Sequence, residues 1–398
     1  MIPLVRLKST YLILFLCISF SLTTCAQTST EIKVGAEQTE LYLNLLKGKN
    51  IALVANQTSA IEKRGKRKEK RFTHLVDSLL SLKIKVKKVF APEHGFRGKA
   101  DAGEIIKDGF DNKTGLPIFS LYGKNKKPSA DQLEGIDVIV FDIQDVGARF
   151  YTYISSLHYV MEAAAENKIP VIILDRPNPN GYYIDGPILE KEHKSFVGMH
   201  PVPVVYGMTI GEYGQMINGE KWLENGVKCD LTVIPLKNYL HNSTYRLPIK
   251  PSPNLPNDKA INLYPSLCFF EGTTISAGRG TEMQFQIYGA PFLNKEGFSF
   301  TPKSNEGAKY PKFKNQICYG ENLIETKNLH QLNLSWLIKA YKQNTSENFF
   351  NAFFTKLAGT EKLQKQIENN VSEKEIKKSW QKDINAFKKI RKRYLIYK

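Results

Sequence analysis

Four stretches of this sequence gather side chains that could do chemistry. They read Asn56-Gln57-Thr58, Pro92-Glu93-His94-Gly95-Phe96-Arg97-Gly98, Asp142-Ile143-Gln144-Asp145-Val146-Gly147-Ala148-Arg149-Phe150-Tyr151, and Asp175-Arg176-Pro177-Asn178-Pro179-Asn180-Gly181. Glu93-His94 admits three readings. A glutamate partly buried beside Phe96 could have its pKa raised toward neutrality and serve as general acid or base. His94 with Asp142, Asp145 or Asp175 could hold a divalent ion, although no HExxH or HxH spacing supports this. The third reading is a carboxylate that caps the glycine-rich turn or pairs with Arg97. Asp142 reads as half of an internal Asp-Arg pair, and Asp175-Arg176 as ligand-binding or as an ion pair locking its proline-rich loop. On extended backbone Gln144 and Asp145 point to opposite sides, so one of them could face ligand. Tyr151 and Tyr153 serve equally as packing or as platforms for a sugar.

A fifth stretch, Glu271-Gly-Thr-Thr-Ile-Ser-Ala-Gly-Arg-Gly-Thr-Glu282, flanks Arg279 with glycines. Glycine lets the backbone turn tightly and present the guanidinium, which suits a carboxylate ligand through a bidentate pair. Glu282 is then a candidate second carboxylate across a cleft, unless it simply pairs with Arg279 within the loop. The first strand is followed by no GxGxxG, and no GxxxxGK[ST] or GxSxG occurs, which removes nucleotide cofactors and a serine α/β-hydrolase. Neither a cofactor nor a metal is expected.

Such loops need a scaffold that brings their ends together. Short β-branched runs alternate with helical stretches from residue 49 onward: strands over 50–55, 84–91, 116–121, 136–141, 170–174 and 231–234, and helices over 38–47, 71–82, 153–167 and 209–224. That alternation predicts an α/β fold, a Rossmann-like mostly parallel sheet with helices on both faces. In such sheets ligands sit beyond the carboxyl ends of the strands, where the four polar stretches fall. The charge block 62–71 reads as an exposed loop leading into a helix. The proline-rich run 247–256 reads as a linker or rim, followed by a smaller C-terminal α+β domain. The expected boundaries are 37–238 for the sheet domain and 239–398 for the second. In the last helix Ile376, Trp380, Ile384, Phe387 and Ile390 form an apolar side, and Lys377, Lys378, Lys388, Lys389, Arg391 and Arg393 a solvated face.

Across 398 residues, 42% are apolar and 24% charged, which excludes disorder, collagen and coiled coil. The formal charge of +17 favours acidic partners. Residues 1–24 read as a signal peptide, with Arg6 and Lys8 before the apolar run 11–20. Leu22-Thr-Thr-Cys25 resembles a bacterial lipobox, which makes Cys25 an acylation site and 25–36 a linker. The expected location is the cell envelope, periplasmic and lipid-anchored, where the chain meets polysaccharide, peptide and membrane rather than nucleic acid. The remaining cysteines, Cys229, Cys268 and Cys318, are odd in number, lack CxxC spacing and are assigned no chemistry.

The strings PEHGFRG (92–98), DIQDVGARFYTY (142–153), DRPNPNG (175–181), SAGRGTEMQFQIYGAP (276–291) and the closing pattern from Trp380 to Tyr397 resemble the exo-β-N-acetylmuramidase (NamZ) family, formerly a domain of unknown function. The similarity runs from about residue 33 onward. It implies a cleft between a Rossmann-like domain and a smaller C-terminal one. The implied reaction is hydrolytic removal of N-acetylmuramic acid from the non-reducing end of peptidoglycan fragments, in cell-wall turnover. Glycoside hydrolysis asks for two carboxyl groups. Glu93 is the first choice for the acid, with Glu282 or Asp145 as partner and His94 beside them. Asn56, Gln57, Arg97, Gln144, Arg149, Tyr151, Asp175, Arg176 and Arg279 complete the expected binding set, with Arg279, Arg149 or Arg97 facing the lactyl carboxylate of muramic acid. The competing reading is a non-catalytic muropeptide-binding lipoprotein.

Overall fold

The computed structural model describes residues 31–64, 70–97, 108–344 and 348–397. The expected signal peptide and Cys25 lie outside these residues. Lys33 onward forms one compact unit.

The run Asn50–Ala55 (β1) is apolar on both faces, which places it at the centre of a sheet. Around it lie β4 (Lys85–Ala91), β5 (Gly109–Phe110), β6 (Pro117–Ser120), β7 (Val138–Asp142), β8 (Val171–Leu174) and β9 (Leu231–Ile234), in the order β5-β6-β4-β1-β7-β8-β9. All pairs are parallel except β5 with β6. The chain leaves β1 toward β4 and β6, then returns to β7 on the other side. That reversal leaves a crevice at the carboxyl ends of the central strands.

The helices of this half are α1 (Thr39–Leu46), α2 (Leu75–Ser81), α3 (Ala130–Leu133), α4 (Tyr153–Glu166) and α5 (Ile210–Gly219). Leu157, Val160, Met161 and Ala164, expected on the apolar stripe of α4, are all buried. The charge block is corrected by the structure. Ala60–Arg64 (β2) and Lys70–His74 (β3) pair as an antiparallel hairpin, and α2 begins only at Leu75. Phe72 and Thr73 favour strand, and His74 stops it by accepting the Val76 amide on Nδ1 at 3.2 Å as a helix cap.

The C-terminal part carries a small antiparallel sheet ordered β10 (Ile287–Ala290), β12 (Cys318–Asn322), β11 (Phe298–Phe300). Its helices are α6 (Asp258–Leu267), α7 (Ser335–Gln343), α8 (Ala352–Ala358), α9 (Lys362–Glu368), α10 (Glu373–Ser379) and α11 (Gln381–Arg391). Ile376, Trp380, Ile384 and Phe387 are buried as expected. The basic face is not wholly solvated, however. Arg391 donates Nε to the Gly207 carbonyl at 2.8 Å, and Lys377 reaches Asp185 and Glu373. Tyr397 then donates its hydroxyl to Asp175 Oδ2 at 2.6 Å, fastening the tail to the end of β8.

Candidate active site

A pocket of about 280 Å³ opens where the loops after β4 and β7 meet the C-terminal part. Glu93, His94, Tyr151 and Arg279, four of the residues singled out in the sequence, line it together. Glu93 accepts a hydrogen bond from Thr152 Oγ1 at 2.8 Å and another interaction from the Tyr122 hydroxyl. Burial, and then the negative charge of Glu93, push the Tyr122 phenol above its ordinary range, so it stays a donor. His94 (φ 73°) and Gly95 (φ 76°) both take left-handed backbone, and the Gly95 amide closes the turn on the Pro92 carbonyl at 3.0 Å. Histidine is among the few side chains enriched there. The turn holds Glu93 at the sheet rim immediately after β4.

Arg279 donates Nε to Glu271 Oε1 at 3.0 Å, and its guanidinium lies 5.1 Å from the centre of the Phe285 ring. Burial opposes its charge, but Glu271 outweighs that and lifts it above its ordinary value. The second carboxylate in the pocket is therefore Glu271, not Glu282 or Asp145. Glu271 stands on a turn of 3₁₀ helix, Cys268–Gly272, that follows α6. Lys312 clamps this turn by donating Nζ to the carbonyls of Phe270 (2.8 Å), Glu271 (3.3 Å), Thr273 (2.7 Å) and Ile275 (3.1 Å). Nothing local in the sequence signals that clamp, which comes from about forty residues downstream. Cys268 also lines the pocket, but burial raises its thiol far out of the reactive range.

Six expected binding or catalytic residues are instead buried scaffold. Asn56 accepts from Thr58 and donates to the Tyr153 hydroxyl at 2.9 Å. Gln144 donates to the carbonyls of Asp145 (2.7 Å) and Pro177 (2.6 Å). Asp145 takes the Gly147 amide at 2.7 Å and the Tyr206 hydroxyl on Oδ2. Asp175 takes Thr209 Oγ1 and the Gly211 amide, each at 2.8 Å, besides Tyr397. Arg176 grips Asp142 through two bonds of 2.5 and 2.9 Å, a pair bridging the ends of neighbouring strands. Arg149 donates to four carbonyls, Pro187 (2.8 Å), Val202 (2.7 Å), Leu357 (2.9 Å) and Ala358 (2.7 Å). Both oxygens of Asp142 and of Asp175 are thus occupied, while Asp145 uses only Oδ2 for these bonds. Arg97 pairs with Asp111 at 2.7 and 3.1 Å, away from the pocket. Gln57 and Glu282 line a neighbouring groove rather than the Glu93 pocket.

Complete burial pushes the Asp145 carboxyl up to about 6, against the lowering effect of Tyr206 and two amides. Its ordinary value is 3.8, so between those limits the folded state binds more protons than the unfolded chain. Asp145 therefore lowers stability as pH rises from about 4 to 6, by roughly 3 kcal/mol at most. Asp145→Asn, which keeps an acceptor for Gly147, removes that dependence. Urea unfolding should show the variant gaining on the parent by about 2–3 kcal/mol between pH 4 and 7. A constant difference across that range would rule out the ionisation.

Comparison with known proteins agrees with this architecture. Residues 51–259 match the family model described as exo-β-N-acetylmuramidase NamZ, N-terminal, and residues 262–397 match its C-terminal counterpart. The chain is 39% identical over 386 aligned residues to the peptidoglycan β-N-acetylmuramidase NamZ of Bacillus subtilis (strain 168), covering 89% of each. Two crystal structures of DUF1343 family proteins from Bacteroides fragilis NCTC 9343 superpose with TM-scores of 0.84 and 0.78, at 47% and 27% identity. Each covers 92% of this chain, which spans 99% of theirs. The fold, both halves in order, and identity sustained over most of the length place this chain in the exo-β-N-acetylmuramidase NamZ family.

Proposed function

We propose that this protein is a glycoside hydrolase that removes N-acetylmuramic acid from the non-reducing end of peptidoglycan fragments. One observation carries the reading: Glu93, Glu271 and Arg279, contributed by different halves of the chain, line one pocket. Two carboxyl groups are what glycosidic hydrolysis requires. Glu93, held by Thr152 and Tyr122, assists the leaving oxygen. Glu271 supplies the second carboxyl function, its position fixed by Lys312. Arg279 receives the lactyl carboxylate that distinguishes muramic acid from glucosamine, because a planar guanidinium matches a carboxylate through paired N–H groups. Tyr151, Tyr264 and Phe285 give the sugar an aromatic wall.

The reading extends to location. The protein works in the envelope, exported by residues 1–24 and held to a membrane through acylated Cys25, where the glycan and its turnover fragments are found. Purified protein incubated with a chromogenic N-acetylmuraminide and with the matching N-acetylglucosaminide tests the reaction. Release from the muraminide only, by at least about a hundredfold in kcat/KM, is expected from a charge-assisted contact that one substrate lacks. Equal cleavage of both would remove Arg279 as the selector, and cleavage of neither would sink the enzyme reading.

A further inference from the structure

A second groove of about 390 Å³ runs beside the Glu93 pocket, lined by Gln57, Lys250, Glu282, Gln284, Asn305 and Glu306 among others. Ser252 belongs to the walls of both, so the two spaces are neighbours across one residue. The groove is built from side-chain amides whose hydrogen bonding is incomplete. Gln57 donates Nε2 to the carbonyls of Lys250 and Pro251, each at 3.2 Å, and Asn305 donates Nδ2 to Thr281 at 3.2 Å. Those bonds fix which end of each amide is nitrogen, since a flipped amide would set oxygen against oxygen. The carbonyl oxygens of Gln57 and Asn305 are left with no partner, and so is that of Gln284, which is only 5% exposed. Buried acceptors without donors are rare and call for a ligand, a water or a role.

Resting on the muramidase reading, we infer that this groove holds the leaving part of the glycan, the N-acetylated sugar that follows the terminal muramic acid. The 280 Å³ pocket that holds Glu93, Glu271 and Arg279 and the 390 Å³ groove are separate spaces that share the wall at Ser252. An enzyme that cuts from a chain end must still seat the next residue, and the adjoining space is the one across Ser252. Hydroxyls and an acetamido N–H are donors, and the groove offers acceptors in the carboxylates of Glu282 and Glu306, set among the amide side chains of Gln57, Gln284 and Asn305. Glu282 and Gln57 thus bind the sugar that leaves, while Glu93 and Arg279 act on the sugar that is cut off.

The test compares kcat/KM of the unaltered protein on the chromogenic muraminide, the muramic acid–glucosamine disaccharide and the corresponding tetrasaccharide, alongside Gln284→Met and Glu282→Ala. Inhibition by free glucosamine-type product, weakened about tenfold in either variant, is expected, as is a similar fall in the ratio of tetrasaccharide to chromogenic kcat/KM. Product inhibition and substrate ratio both unchanged in a folded Glu282→Ala would overturn the assignment even if Gln284→Met fails to fold. A preference that follows an attached peptide rather than glycan length would also overturn it. Hydrolysis of none of the three substrates would fail the muramidase reading itself, whereas hydrolysis with groove variants indistinguishable from parent would fail the groove alone.

Discussion

Glu93→Gln is expected to lower kcat on the muramic acid–glucosamine disaccharide by about a hundredfold to ten-thousandfold, the range for losing a positioned general acid. The substitution keeps the shape of the side chain and an acceptor for Thr152, so the fold and substrate affinity survive. The size of the loss depends on the leaving group. A sugar hydroxyl leaves poorly without a proton, whereas a nitrophenolate leaves readily without one, so the chromogenic substrate should lose much less. Steady-state kinetics on both substrates separates the roles. Equal losses would assign Glu93 to attack on the sugar or to stabilising its charge, with Glu271 then acting as the acid. No loss on either would take Glu93 out of the reaction.

The second large effect concerns stability. Arg149→Leu is expected to cost about 4 kcal/mol or more, measured as the shift in urea unfolding at constant slope. Two of its four carbonyl partners, Leu357 and Ala358, end α8, where a cation also complements the helix dipole. Gly359 makes room for it: a Cβ there would stand 2.7 Å from Nη2, and its φ of 73° suits only glycine well. The other two partners, Pro187 and Val202, belong to the sheet-bearing half. Removing the guanidinium takes a donor from four buried carbonyls at once, of which Val202 keeps the Leu189 amide, while lysine has one nitrogen to offer all four. A change under about 1 kcal/mol would mean that water enters and replaces the clamp. Because α8 also brings Phe353 and Leu357 to the pocket, a weakened clamp should raise KM as well.

Much of the scaffold was readable from the residues. The strands at 50–55 and 231–234 match to the residue; the first is buried along its length and writes itself as a continuous apolar run, while the second, at the sheet edge, is marked by its β-branched residues. The pairing of 60–64 with 70–74 is hidden in the sequence because its charged residues mask a pattern that only a partner strand reveals. At the site, Glu93 and Arg279 stood out through strand-end position and flanking glycines, and the pocket joins them. Glu271 carries no signal of its own in the sequence, where Glu282 reads as the second carboxylate or as the partner of Arg279. The guanidinium instead turns back eight positions, to a turn whose place is set by Lys312. The strand-end rule also overcounted. Asn56, Gln144, Asp145 and Asp175 sit where ligands bind in such sheets, yet the same edge must satisfy its own amides and hydroxyls, and these residues do that.

Tyr151, Tyr153 and Gln57 all direct a donor to one acceptor, the carbonyl oxygen of Pro251, at 2.7, 3.4 and 3.2 Å. The partition beside Ser252 is thus anchored by main chain, in a segment whose prolines fix its path. Any attempt to redirect the enzyme toward other sugars must therefore keep these three side-chain donors, because without them the carbonyl loses the bonds that set the place of the partition.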